Sequence, residues 1–263
     1  MSPFSEESFL PPDRRGVLEP LFSGTEETMI RSCLEGSMGD AWADDPVRPR
    51  AALVLTADFG FLAGDPGSPW VRRLGALSAH FRDFTILVPC GEGWDRVIEE
   101  TWPGRWRRIT RYAIRKEPGI FRRERLEALA DPPAGFRVEP IGESLYHRLL
   151  ETDWGRDLCR NLSPWPVYRE KGLGFAALWK GEPVSGASSS TVYRGGIEIE
   201  VDTRPDFRRR GLARACSARL ILACLDRGLY PSWDAANPGS VALAEQLGYR
   251  FSHRYPAYEV NMA

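Results

Sequence analysis

Two groups of residues in the stretch IEIEVDTRPDFRRRGLA, positions 197–213, have types and spacings that can do chemistry. Glu198 and Glu200 alternate with Ile197, Ile199 and Val201, so in a strand the two carboxylates share one face while the apolar side chains take the other. A carboxylate beside a reacting amine can take its proton and leave the nitrogen nucleophilic. Pro205 and Asp206 then end the strand, and Arg208, Arg209 and Arg210 lead into Gly211, Leu212 and Ala213, which open a helix running through Leu220, Ala223, Cys224 and Leu225 to Gly228. The first N–H groups of a helix have no intrahelical acceptor, and Gly211 has no side chain to keep an anion away. With arginines at the positive end of the helix dipole, this is a cradle for a phosphate or pyrophosphate. A solvated acidic strand face and a solvated or nucleic-acid-touching arginine turn are the competing readings.

Other elements must hold these two groups in place. Residues 174–179, a turn at Lys180-Gly181-Glu182-Pro183, and residues 184–193 read as an antiparallel ribbon feeding the acidic strand. Downstream lie a short strand over 230–234, then Asn237 as a natural helix N-cap, and a helix through Ser240, Leu243 and Leu247 to Gly248 and Tyr249. Upstream, a strand at 136–140 and a helix at 143–150 precede an irregular helical region, 158–171, interrupted by Pro164 and Pro166. A strand over 251–260 is expected to close this sheet.

Before the turn-rich break Asp131-Pro132-Pro133, a separate alternating pattern predicts strands at 51–56, 59–64, 85–88 and 109–114. Helices are expected at 70–81, 94–102 and 122–129. Residues 1–50 are rich in proline, glycine and acids, and partial order is expected there, with a helix near 25–34. The domains expected are therefore 1–133 and 134–263.

The signature Arg208-x-x-Gly211-x-Ala213 on a strand–turn–helix, followed by YPSWD, Asn237 and the helix to Gly248-Tyr249, resembles the GNAT superfamily of N-acetyltransferases. DFGFLAGDP, GASSS, IEIEVDT and YPSWDAANPGSVALAEQLGY together are similar to a two-domain subfamily that includes the zwittermicin A self-resistance acetyltransferase. The resemblance implies an α/β (α+β, mixed-sheet) fold class, with the GNAT acyl-CoA acyltransferase fold in 134–263 and an accessory α/β domain in 1–133. It implies acetyl-CoA (coenzyme A) as co-substrate, no metal, and direct attack by the amine of a small molecule, such as an antibiotic or similar metabolite. By the same resemblance the pyrophosphate lies on Arg209, Arg210, Gly211, Leu212 and Ala213 with Arg208 closing over it, and the pantetheine arm lies beside Thr203. The Val201 N–H faces the thioester oxygen, Asn237 lies near the carrier, and Glu200, or next Glu198, is the general base. The chain departs from the pattern at Ala244, where many members carry the tyrosine that protonates the leaving thiolate. It departs again at Arg209, where a small residue is usual. A non-catalytic acyl-CoA sensor is the alternative these departures leave open.

Composition narrows the class further. Over 263 residues the formal net charge is −1, which gives neither nucleic acid nor an anionic membrane a reason to be the main partner. No apolar run is long enough to cross a bilayer, and the acidic start MSPFSEESF does not read as a signal peptide. The five cysteines are unclustered and odd in number, unlike a disulfide framework or a zinc site, so a cytoplasmic protein is expected. Monomer and homodimer both remain open.

Overall fold

Glycine-ended turns and runs of apolar residues mark out the elements of the computed structural model, which describes residues 7–82 and 84–261. The chain forms two compact units: residues 7–111 together with 254–261, and Tyr112–His253.

In the first unit, β1 (Phe9–Leu10) is followed by a 3-10 segment (Pro12–Phe22), α1 (Thr28–Leu34), β2 (Asp40–Ala43), β3 (Ala51–Thr56) and β4 (Phe59–Gly64). A second 3-10 segment (Pro69–His80), β5 (Phe84–Cys90), α2 (Trp94–Thr101) and the start of β6 (Trp106–Ile114) complete its amino-terminal part. The strands run β1-β2-β3-β4-β5, antiparallel except for the parallel pair β4–β5. Every residue of β3 is buried, because both sheet faces are covered. Val54 joins a core with Leu18, Phe22 and Met29, while Leu53 and Leu55 join another with Trp70, Leu74 and Leu77. The segment expected as an α-helix at 70–81 is a 3-10 helix; Val71, Leu74 and Leu77 are buried at a spacing of three, the period of that helix. Residues 7–50 are also more ordered than their composition suggests. The guanidinium of buried Arg15 donates to the carbonyls of Leu10 (3.0 Å) and Gly39 (2.8 Å) and pairs with Asp40 (3.2 Å), which ties this stretch together.

The second unit contains α3 (Arg123–Leu129), β7 (Phe136–Pro140), α4 (Glu143–Leu150), two 3-10 turns (Arg156–Leu158 and Arg160–Leu162) and α5 (Trp165–Lys171). Then come β8 (Gly174–Trp179), β9 (Glu182–Tyr193), β10 (Gly196–Thr203), a 3-10 turn (Pro205–Phe207), α6 (Leu212–Leu225), β11 (Tyr230–Ser232), β12 (Asp234–Ala235) and α7 (Pro238–Leu247). The sheet order is β11-β10-β9-β8-β7. Strands β7 to β10 form an antiparallel meander whose β8–β9 turn places Lys180 (φ 50°) and Gly181 (φ 85°) in the left-handed region of a two-residue hairpin. Helix α6 is the crossover that brings β11 back parallel to β10. Its Leu212, Cys216, Leu220 and Ile221 share one core with Ala177, Val184, Ala187, Ile197 and Ile199 of the sheet. The mixed α/β class is as expected.

Two boundaries differ from the sequence-based expectation. The Asp131–Pro133 break lies inside the second unit, because Leu126 and Ala130 before it are buried in the same core as α6. The last strand, β13 (Phe251–Asn261), does not close the five-stranded sheet; its end pairs antiparallel with β5, from Tyr258 opposite Leu87 to Asn261 opposite Phe84. Ala257, Tyr258 and Val260 are wholly buried in the first unit's cores, and that burial fixes the pairing.

Candidate active site

Strand β10 pairs with β11 over three residues, Gly196 to Glu198 against Tyr230 to Ser232. Beyond Ser232 the chain turns away at Trp233, and Asp234 and Ala235 pair instead with Ala113 and Tyr112 at the end of β6. From Ile199 to Thr203, β10 therefore keeps β9 on one edge and, among the described residues, has no strand on the other. Strand β9 carries an extra residue at this level, since Glu198 faces Thr191 and Ile199 faces Ser189. The alternation of β10 itself is undisturbed, so Glu198, Glu200 and Asp202 share one face while Ile197 and Ile199 enter the core. The parting of β10 from β11 opens a cleft of about 710 Å³, walled by the end of β10, the arginine turn, the first turn of α6 and one side of α7.

The turn is built around Phe207, which is 6 % exposed and lies against Phe136 and Trp179. The Arg204 and Arg210 guanidiniums sit over its ring at 4.4 and 4.9 Å. Arg210 also donates to the Asp206 carbonyl (3.1 Å), and Arg204 pairs with the Asp206 carboxylate (2.7 Å). Arg210, expected at the anion site, thus braces the turn and does not line the cleft. Arg208 and Arg209 do line it. Arg208 Nε donates to the Thr203 carbonyl (3.2 Å), and Arg209 takes the left-handed φ of 61° at the position where a small residue is usual.

Gly211 is the N-cap of α6, with φ +79° and no side-chain cap. Ala215 N is the first to bond back into the helix, to Gly211 O at 3.1 Å, which leaves the N–H groups of Leu212, Ala213 and Arg214 without intrahelical acceptors. A Cβ on Gly211 would stand 3.3 Å from Arg214 Nη2, so the glycine lets that guanidinium fold over the helix start. Arg214 lines the cleft, and its buried Nε has no hydrogen-bond partner among the described residues.

The sequence-derived candidates separate on the acidic face. Glu198 is 4 % exposed and does not line the cleft; Glu200 is half-buried, and its Oε1 accepts the Val201 N–H at 3.2 Å. That N–H, expected at a thioester oxygen, is therefore engaged by the neighbouring carboxylate. Asp202, the third member of the same alternation, does line the cleft beside Val201 and Thr203. Burial, with the charge of Asp157 adding to it and that of Arg208 opposing it, pushes the Asp202 carboxyl up to about 7. Asp202 carries the same sequence signal as the two glutamates, the i+4 position from Glu198 on one strand face. Asn237 lines the cleft and caps α7, its Oδ1 accepting the Ser240 N–H at 3.0 Å. Ser240 Oγ in turn accepts Trp233 Nε1–H at 3.0 Å. Ala244 is wholly buried in the core, and the Tyr193 hydroxyl is held by Ser232 Oγ (2.8 Å).

Among the described residues no cluster of His, Cys, Asp and Glu could hold a metal, and no helix is long and apolar enough to cross a membrane. What the cleft offers is a helix start with no side-chain cap, a glycine where a side chain would crowd, and an arginine Nε lacking a partner among the described residues. These fit a pyrophosphate. The open edge of β10 fits an extended amide-bearing arm laid beside it as a strand would be.

The profile of the family described as "GNAT acetyltransferase" matches residues 19–258. The uncharacterised N-acetyltransferase YdfB of Bacillus subtilis (strain 168) is 25 % identical over 244 residues, covering 88 % of this chain and 89 % of that protein. The crystal structure of a GCN5-related N-acetyltransferase-like protein from Streptococcus suis 89/1591 superposes with a TM-score of 0.87 at 45 % identity, covering 94 % of this chain and 98 % of that one. A tandem GNAT protein from the clavulanic acid biosynthesis pathway shares the fold at 14 % identity, with a TM-score of 0.55 over 97 % of this chain and 98 % of that one.

Proposed function

Because the chain belongs to the GNAT acetyltransferase family, whose enzymes use acetyl-CoA, we propose that its second unit moves the acetyl group of acetyl-CoA onto the amine of a small molecule. The observation that carries this reading is the cradle at Gly211, opening into the gap where β10 parts from β11. Leu212 and Ala213 would hold the pyrophosphate through their N–H groups, with the Arg208, Arg209 and Arg214 side chains adding charge. Thr203 and Val201 would border the arm, and Asn237 would keep the start of α7 against it. Bound acetyl-CoA supplies an activated acetyl thioester. The acidic face of β10, which carries Glu198, Glu200 and Asp202, supplies the carboxylate that strips the ammonium acceptor of a proton.

The acceptor class, a small amine such as an antibiotic or related metabolite, rests on the resemblance of the sequence to the zwittermicin-resistance subfamily. The first unit serves as an accessory domain, and the working species is a monomer or homodimer. A second reading, a non-catalytic acyl-CoA sensor, is favoured by buried Ala244 standing where a hydroxyl would protonate the departing thiol. Following free CoA thiol while acetyl-CoA is offered with a panel of antibiotic and simple alkyl amines separates the two. Acetylation yields CoA in step with an amine of the panel; a sensor binds acetyl-CoA and releases no CoA with any of them.

A further inference from the structure

Three carboxylates share one face of β10, but their surroundings differ. Glu198 is buried and stands outside the cleft, opposite Thr191 on β9 and Ser232 on β11. Glu200 folds back on its own strand to accept the Val201 N–H. Asp202 alone of the three lines the cleft, at the stretch of β10 that, among the described residues, has no strand on its second edge. Its backbone is pinned from β9, where Ser185 Oγ donates to the Asp202 carbonyl (3.1 Å) and is bonded to Thr203 Oγ1 (2.7 Å), so the residue is held in register with the open edge.

We propose that Asp202 is the residue that takes the proton from the acceptor amine. This rests on the acetyl-transfer reading of the cleft. The charged groups that face Asp202 are Asp157, from the 3-10 turn after α4, and Arg208, from the arginine turn. Asp157 is itself paired with Arg160 (2.8 Å), and Arg208 is bonded to the Thr203 carbonyl (3.2 Å). Burial and the Asp157 charge outweigh Arg208 and push the Asp202 carboxyl up to about 7. A base of that strength suits proton removal from an amine, since weaker bases do not take the ammonium proton and stronger ones are already protonated.

The step balances without any further reactant. The ammonium gives one proton to the Asp202 carboxylate, and the freed lone pair forms the C–N bond to the acetyl carbon. The C–S bond breaks with its electron pair on sulfur, the second amine proton passes to that sulfur to give the free thiol, and Asp202 returns its proton to solvent.

The test compares the native chain, Asp202→Asn and Glu200→Gln, using acetyl-CoA as the probe. Calorimetry gives acetyl-CoA binding, CoA release is followed to water and to simple primary alkylamines across pH, and 13C NMR follows the aspartate carboxyls of the protein alone. The expected result is unchanged acetyl-CoA affinity in Asp202→Asn, CoA release lowered about a hundredfold or more, and loss of the acid limb of the native pH profile. Glu200→Gln should keep that limb. A carboxyl titrating near 7 should be present in the native protein and absent from Asp202→Asn. Native binding of acetyl-CoA together with equal CoA release by the native chain and Asp202→Asn, or an Asp202 carboxyl titrating as an ordinary aspartate, would overturn the assignment. Failure of the native chain to bind acetyl-CoA would instead overturn the acetyl-transfer reading, and with it the role given to Asp202.

Discussion

An aspartate in an unfolded chain loses its proton near pH ~3.9, whereas half-buried Asp202, facing Asp157, holds its proton to about 7. Between those values the folded chain binds a proton that the unfolded chain has released, so stability falls as pH rises towards and through 7. Asp202→Asn removes that dependence. It should melt several degrees above the native protein at pH 8, with the difference shrinking steadily between about pH 7 and 4 in thermal scans. Arg209, at φ 61°, carries left-handed strain that glycine does not, and Arg209→Gly should stabilise the chain by about 0.5–1 kcal/mol in denaturant titrations. Asn237→Ala removes the cap on the Ser240 N–H and should cost ~1 kcal/mol, lowering the melting temperature by about 2–4 °C. Much of this was legible in the sequence. Gly211, Arg208, Arg209 and Asn237 lie at the cleft because short-range spacing on a turn and a cap determines where they go. Which carboxylate reaches the cleft was not legible, because Glu198 and Asp202 occupy the same face and differ in what distant segments bury.

At the level of elements, the cleft exists because two neighbouring strands separate. The apolar–acidic alternation of β10, the Lys180–Gly181 hairpin and the run of α6 could be read locally, since each is set by a period or a turn within a few residues. The separation could not. It depends on the chain leaving β11 at Trp233 to pair with Tyr112 and Ala113, more than a hundred residues earlier, and on the additional residue in β9 opposite the Glu198–Ile199 step. The arginine turn is likewise a packed element rather than a loose loop, with Phe207 against Phe136 and Trp179 and under the Arg204 and Arg210 guanidiniums. Phe207→Ala should therefore cost about 3–5 kcal/mol in denaturant unfolding. It should also weaken acetyl-CoA binding in calorimetry although Phe207 carries no charge.

At the level of the whole molecule, the two units have separate cores, and the site draws only on the second. The division was partly legible: alternating α/β patterns on both sides of the middle of the chain pointed to two units. The Pro-rich break misled because prolines mark turns within a unit as readily as between units, and the last strand misled because its partner β5 lies far back in the sequence. Acetyl-CoA at a hundred times its Kd should stabilise the unit that holds it by ~2.7 kcal/mol. In hydrogen exchange, amides of β10 and the start of α6 should slow, while those of β3 and β4 should keep their rates. Calorimetric titration of acetyl-CoA into the native chain and an Arg208→Ala, Gly211→Glu double variant asks most directly whether the cradle at α6 is a carrier site. Saturable one-site binding by the native chain, lost in the double variant, is the expected result; no binding by the native chain, or equal binding by both, would mean that the start of α6 is not a carrier site.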